Sequence, residues 1–414
     1  MTDSSKKSLR IGEICTVEIE KAAHGGHFIA RHEGAVIFIR HAIPGEIVEV
    51  EITEAEKSFF RAEIKAVIEA SKHRVQAPCQ YAHPGGCGGC DFQHIDYAHQ
   101  RQLKSEVIAE QFARIAKMEI NVEVEEVSSP LHWRSRFAAT TNHQGDLGFK
   151  ETRSNKVIPI SHCPVLIPEI DFQSIAKESI SANSRVEVAL STRGERTIAI
   201  SPVRSNRLEK NPPVEIIEGK TALHYEVMTS SETLKYQVSQ GSFWQSNINA
   251  PATLVNAVRA YAQVREGDHI LDLYGGVGLF AKALLGEIGS TGRIDLVEAS
   301  PTATRDAQQN FRDYGNVSVH RGDVARVISQ FESADVVLLD PPRTGAGQSI
   351  LASIADMAPR SIVYIACDPA ALARDAGYLR DCGYHLQSIR AFDLFPMTHH
   401  IESIAHYTAD TVSS

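Results

Sequence analysis

The run His269-Ile-Leu-Asp-Leu-Tyr-Gly-Gly-Val-Gly-Leu-Phe280 decides the fold. A short apolar stretch enters a glycine-rich turn and an apolar helical period opens behind it, so strand, tight turn and helix are expected in that order. Gly275, Gly276 and Gly278 would let the backbone approach a ligand where a Cβ would collide. Further on, Ile294-Asp-Leu-Val-Glu298 reads as a second strand, ending in a carboxylate able to hold both hydroxyls of a ribose. Val317-Ser-Val-His-Arg-Gly-Asp323 reads as a third, with its Asp able to reach an adenine amine. From Pro251 onward such units repeat, which predicts an open, mainly parallel α/β sheet of Rossmann type.

The ligand can be narrowed. The spacing Asp272-x-x-x-Gly276-x-Gly278 lacks the third glycine that opens a pyrophosphate-binding helix. A ligand without phosphate fits better, and S-adenosylmethionine has none. A nicotinamide or flavin enzyme and a purely structural turn remain alternatives at this point.

Two later strands deliver polar residues to the same edge. Ala334-Asp-Val-Val-Leu-Leu-Asp340 runs into Pro341-Pro342-Arg343, where the prolines force an extended exit. Enzymes that methylate exocyclic amines usually carry an aromatic residue after Asp-Pro-Pro, so Arg343 argues against that chemistry. Ser361-Ile-Val-Tyr-Ile-Ala-Cys367 ends in a cysteine followed by Asp368-Pro369. A cysteine at a strand end is most often a small buried hydrophobe. The helix expected after Pro369 could instead lower its thiol pKa and make it a nucleophile. Glu402, near the terminus, would ordinarily be solvated surface.

Towards the N-terminus the pattern changes. Residues 11 to 68 alternate apolar and polar, with glycine-marked turns, which predicts a small OB-like β-barrel of the kind that often binds RNA. A helix is expected over Tyr97–Lys117, with Leu103, Val107, Ile108, Phe112 and Ile115 on one stripe. Residues 121 to 238 alternate short strand-like runs with loops and suggest a central α+β region. Between barrel and helix, Cys79-x7-Cys87-x2-Cys90 lies in a Gly- and Pro-rich loop, and Cys163 follows at a distance. Three close cysteines and one remote one suit a zinc ion or an iron–sulfur cluster, and spacing alone favours zinc. The expected organisation is a barrel over 1–70, a cysteine-bearing unit over 71–238 whose helix at 97–118 packs on the catalytic unit, and a Rossmann-like unit over 239–414.

The net charge of −9 counts against a nucleic-acid enzyme, since phosphate contacts need Lys and Arg, although a local basic surface can sit on an acidic whole. No apolar run approaches the roughly 20 residues of a membrane helix, and Met1–Arg10 lacks a secretory core, so a cytoplasmic monomer is expected.

Three motifs together carry a specific likeness. Asp340-Pro-Pro-Arg343, Tyr364-x-x-Cys367-x-Pro369-x-x-Leu372-x-Arg374-Asp375 and Asp393-x-Phe395-Pro396-x-Thr398-x-His400-x-Glu402-Ser403 resemble the RNA uracil-5-methyltransferase family, over almost the whole chain. The resemblance implies a class I methyltransferase fold, a barrel of the TRAM type, S-adenosylmethionine as methyl donor, and a uridine in 23S ribosomal RNA or tRNA as substrate, with the ribosomal RNA favoured. It implies Cys367 as nucleophile and Glu402 as base. It implies Gln245, Tyr274, Gly276, Glu298, Asp323 and Asp340 around donor and uracil, and Phe243 and Arg343 against RNA. Cys87-Gly-Gly-Cys90 followed by Gln93-His94 implies a [4Fe–4S] cluster held by Cys79, Cys87, Cys90 and Cys163. The chain departs from the family in Tyr274-Gly275 where Phe-Cys is usual, in Leu279 where close relatives carry Asn, and in the longer gap after Cys79. A catalytically silent RNA-binding protein and an RNA base-amine methyltransferase are the alternatives.

Overall fold

The computed structural model describes residues 9–204 and 212–409. Five strands, β1 (Ile14–Ala23), β2 (His27–His32), β3 (Ala35–Arg40), β4 (Ile47–Ala55) and β5 (Phe60–Glu69), close into a barrel of order β1-β2-β3-β5-β4. Alternation puts Val17, Phe28, Ile37 and Val50 inside. Register shifts in the β1–β2 and β4–β5 ladders supply the bends that closure needs.

The expected helix divides in two. α1 (Tyr97–Gln111) is capped by Asp96 and passes into a π-helical turn, Phe112–Ala116, ended by Lys117 in the left-handed conformation. Its stripe buries Leu103, Val107, Ile108 and Phe112, with Ile115 partly buried beside them. β6 (Val124–Glu126) follows. β7 (Arg136–Thr141), β8 (Leu147–Lys150), β9 (Val157–Pro159), β10 (Ser184–Leu190), β11 (Arg196–Pro202) and β12 (Glu215–Glu218) form an antiparallel sheet, with α2 (Phe172–Lys177) packed beneath.

The hairpin β13 (Ala222–Met228) and β14 (Thr233–Ser239) leads to the last unit: α3 (Ala250–Ala262), β15 (His269–Leu273), α4 (Leu279–Ile288), β16 (Arg293–Glu298), α5 (Pro301–Asn310), β17 (Val317–Arg321), α6 (Val324–Val327), β18 (Val336–Leu339), α7 (Gln348–Asp356), β19 (Ser361–Ala366), α8 (Pro369–Asp381), β20 (Tyr384–Asp393) and β21 (Glu402–Ala409). The sheet order is β17-β16-β15-β18-β19-β21-β20-β6. β15 to β19 run parallel and β21 is antiparallel to both neighbours. The order reverses between β15 and β18, so a crevice opens at their carboxyl ends, where open sheets bind ligands.

Packing crosses the expected boundaries. β6 pairs with β20, α1 lies against α8, and the β13–β14 hairpin covers α3, α4 and α5. One apolar cluster runs from Phe28 in the barrel through Ile108 in α1 to Leu271 and Tyr364 in the large sheet. Among the described residues no helix is long and apolar enough to cross a membrane.

Candidate active site

The glycine turn leaves β15 at Tyr274 (φ 61°). A Cβ on Gly275 would stand 2.6 Å from Leu296, and one on Gly278 would stand 2.3 Å from Phe311. The expectation that all three glycines serve ligand approach is therefore corrected, because the protein's own packing demands two of them. Only Gly276, at φ 57°, looks into open space. Its N–H donates to Glu298 Oε2 (3.0 Å), and Ser300 N donates to Oε1 (2.5 Å). Asp323 caps α6, accepting from Ala325 N, and stays exposed at the end of β17. Tyr274 is half-buried and its phenol is pushed up to about 12 by burial, then by Asp323. Burial and then the charge of Glu298 push Asp340 up to about 7. A crevice that concentrates carboxylates in this way favours a cationic ligand.

Beyond the crevice, register decides what meets. Ala366 pairs with Ser403, so the next step along the antiparallel ladder sets Cys367 across from Glu402. Glu402 is buried, and its carboxyl lies well above the ordinary range through burial, then Asp340, with Arg343 opposing. The Cys367 thiol is pushed up to about 11 by burial, then by Glu402, while Arg343 pulls it down. The thiol thus stands above the ordinary range, against the lowering expected from the sequence. Asp368 caps α8, its Oδ1 accepting from Ala371 N (2.8 Å), and so brings a carboxylate beside the thiol.

Cys367 opens on a cavity of about 170 Å³, shared with Arg343, His399 and His400, with Leu103 of α1, and with the barrel turn at His24. His24 Nε2 donates to Asp368 Oδ2 across 3.0 Å. His24 and His399 were not singled out from the sequence. His399 stands beside a quoted motif, but nothing local links His24 to a cysteine 343 residues away.

The remaining candidates lie elsewhere. Trp244 packs against Tyr225 and Tyr236, and Ser242 Oγ donates to Asp306 Oδ2 (2.6 Å). These anchors bury Gln245 and leave Phe243 67% exposed. Cys79, Cys87, Cys90 and Cys163 line a second cavity. Burial raises the thiols of Cys87, Cys90 and Cys163. Among the described residues no group of three or more His, Cys, Asp or Glu side chains could hold a single metal ion.

Residues 9–65 match the TRAM domain, and residues 214–407 match the tRNA (uracil-5-)-methyltransferase family. An uncharacterized RNA methyltransferase of Streptomyces avermitilis is 40% identical, over 95% of this chain and 98% of its own. The 23S rRNA (uracil(1939)-C(5))-methyltransferase RlmD of Shewanella piezotolerans is 32% identical, over 96% of each chain. The chain belongs to the RNA uracil-5-methyltransferase family. It is an RNA (uracil-5-)-methyltransferase, and S-adenosylmethionine is its methyl donor. The crystal structure of Pyrococcus abyssi tRNA (uracil-54, C5)-methyltransferase in complex with S-adenosyl-L-homocysteine covers 95% of this chain and 99% of its own with a TM-score of 0.70. At 21% identity that likeness establishes the common fold of this RNA uracil-5-methyltransferase.

Proposed function

We propose that this methyltransferase modifies a uridine of 23S ribosomal RNA by covalent catalysis, with Cys367 as nucleophile and Glu402 as base. The observation that carries the reading is the meeting of thiol, buried carboxyl and guanidinium at the paired ends of β19 and β21.

Uracil C5 is a poor carbon nucleophile because the ring carbonyls withdraw electron density. The Cys367 sulfur forms a bond to C6, and C4–C5 becomes an enolate. C5 then takes the methyl group as the sulfonium C–S bond breaks. Glu402 removes the C5 proton, the ring double bond re-forms, and the S–C6 bond breaks to free the thiol. A carboxyl raised by burial is the stronger base once it has given up its own proton. Arg343 opposes the raised pKa of both groups, so it favours their reactive, deprotonated forms. Gln245, Tyr274, Gly276, Glu298, Asp323 and Asp340 bind donor and uracil. Phe243, an exposed ring on an anchored loop, stacks on bases of RNA whose target is flipped out. The barrel (residues 1–70) and the cysteine-bearing unit (71–238) grip the RNA, and residues 239–414 carry the chemistry of a cytoplasmic monomer.

The four cysteines hold a [4Fe–4S] cluster. Their fit rests on one observation: four thiols from two remote segments line one cavity. Such a cluster would tie the loop over 79–90 to Cys163 and neutralise thiolates that burial disfavours. The reaction above needs no electron from it.

Glu402→Gln keeps the size and hydrogen-bonding reach of the side chain but loses the base. RNA from a strain lacking the gene, incubated with this variant and labelled donor, is expected to give a protein–RNA adduct carrying the methyl label on a denaturing gel. Cys367→Ala in the same chain should abolish it. Normal turnover without adduct would overturn the assignment of the base.

A further inference from the structure

Glu402 opens β21 opposite Phe392 of β20, and the loop that leads into it leans on a remote segment as well as on its own turn at Phe395–Thr398. Residues 394 to 401 connect β20 to β21, and Met397 stands at φ 68° although it is not a glycine. Such a conformation persists only where the surroundings impose it. The support comes from residues 91 to 104. Phe92 N donates to Met397 O (3.0 Å), Met397 N donates to Gln100 Oε1 (3.0 Å), and Lys104 Nζ meets Asp393 Oδ1 at 2.6 Å in a fully buried pair.

Asp91 makes the contact nearest to Glu402. Its buried carboxylate accepts from His399 N at Oδ1 (2.9 Å), and Oδ2 lies 2.5 Å from His399 Nδ1. Oδ2 also accepts from Arg40 Nη2 of the barrel (3.0 Å). The barrel turn presses on the same spot, since a Cβ on Gly26 would stand 2.3 Å from Asp91 Oδ2 and 2.8 Å from His399 Nδ1. Asp91 directly follows Cys90 in the chain. Three remote segments thus meet on one carboxylate, and the histidine it holds stands three residues before the base.

We propose that Asp91 is a positioning residue for the catalytic base: by fixing His399 it sets Glu402 against the C5 proton, and it makes that placement depend on the barrel and the cysteine loop. The proposal rests on the assignment of Glu402 above. It differs from a merely structural role in the step it affects, because a displaced base stalls elimination while addition and methyl transfer proceed.

Asp91→Asn keeps the shape but weakens the hold on His399. In the full chain, with RNA from a strain lacking the gene and labelled S-adenosylmethionine, turnover is expected to fall at least tenfold. Donor affinity should stay within twofold, and a methyl-bearing adduct should accumulate as it does in Glu402→Gln. His399→Ala, assayed in parallel, removes the ring from the other side and should do the same; it decides the matter should Asp91→Asn not fold. Turnover within twofold of the parent overturns the proposal. So does a loss of turnover with no adduct while Glu402→Gln accumulates one. Absence of adduct in Glu402→Gln itself overturns the base assignment and this proposal with it.

Discussion

Cys367 stands among Glu402, Asp340 and Asp368, with Arg343 as the cation that draws its thiol pKa down. An ordinary thiol titrates near 8.5, so a thiol pushed up to about 11 holds less thiolate at any neutral pH than a free cysteine does. In the RNA-free protein, alkylation of Cys367 by iodoacetamide, read by peptide mass mapping, should climb about tenfold per pH unit from pH 8 to 10 without a plateau. Arg343→Ala should slow it severalfold at pH 9, because the carboxylates then act unopposed. A plateau below pH 8.5 would mean that the thiol is already activated. The motifs of the sequence offered Cys367 and Glu402 as the candidate pair through their resemblance to the family, yet they pointed to an activated thiol. Asp368 caps α8, and its second effect, a negative charge beside the sulfur, is visible only when the neighbours are in space.

At the scale of elements, the glycine turn separates packing from binding. Gly278→Ala adds a left-handed strain to a collision with Phe311 and should cost about 2–5 kcal/mol in urea unfolding. Gly276→Ala meets no protein atom and should cost only about 1–2 kcal/mol. Its Cβ would enter the space in front of the turn, so calorimetric titration with S-adenosylmethionine should show affinity at least tenfold weaker. Unchanged affinity would remove Gly276 from the donor site. The parallel strands were legible in sequence because burial on both faces makes them continuous apolar runs, as in Val336–Leu339 and Ser361–Ala366. The order of the central strand-like runs was not. β6 has three residues and owes its existence to pairing with β20, more than 260 positions away. No local pattern encodes that partner.

Across the whole molecule, the four cysteines make the most direct test. Protein purified without oxygen is expected to carry about four irons and matching sulfide per chain. Cys163→Ala should lower that content although it lies 73 positions beyond Cys90, because both thiols face one cavity. One zinc and no iron would rule the cluster out. The acidic total of −9 counted against an RNA enzyme, and the family shows that total charge was the wrong scale for the question. By itself, the sequence determined the barrel and the Rossmann-like sheet, because each is written in contiguous runs whose period follows from local stereochemistry; the proposed reacting pair was legible only through the resemblance of its motifs to the family. Only the tertiary structure decided that the barrel turn at His24 borders the cavity of Cys367, that Asp91 holds His399, and that Cys367 is surrounded by carboxylates. The first two of those contacts join segments more than 300 residues apart. They depend on burial and field, which a chain acquires only when its remote parts pack.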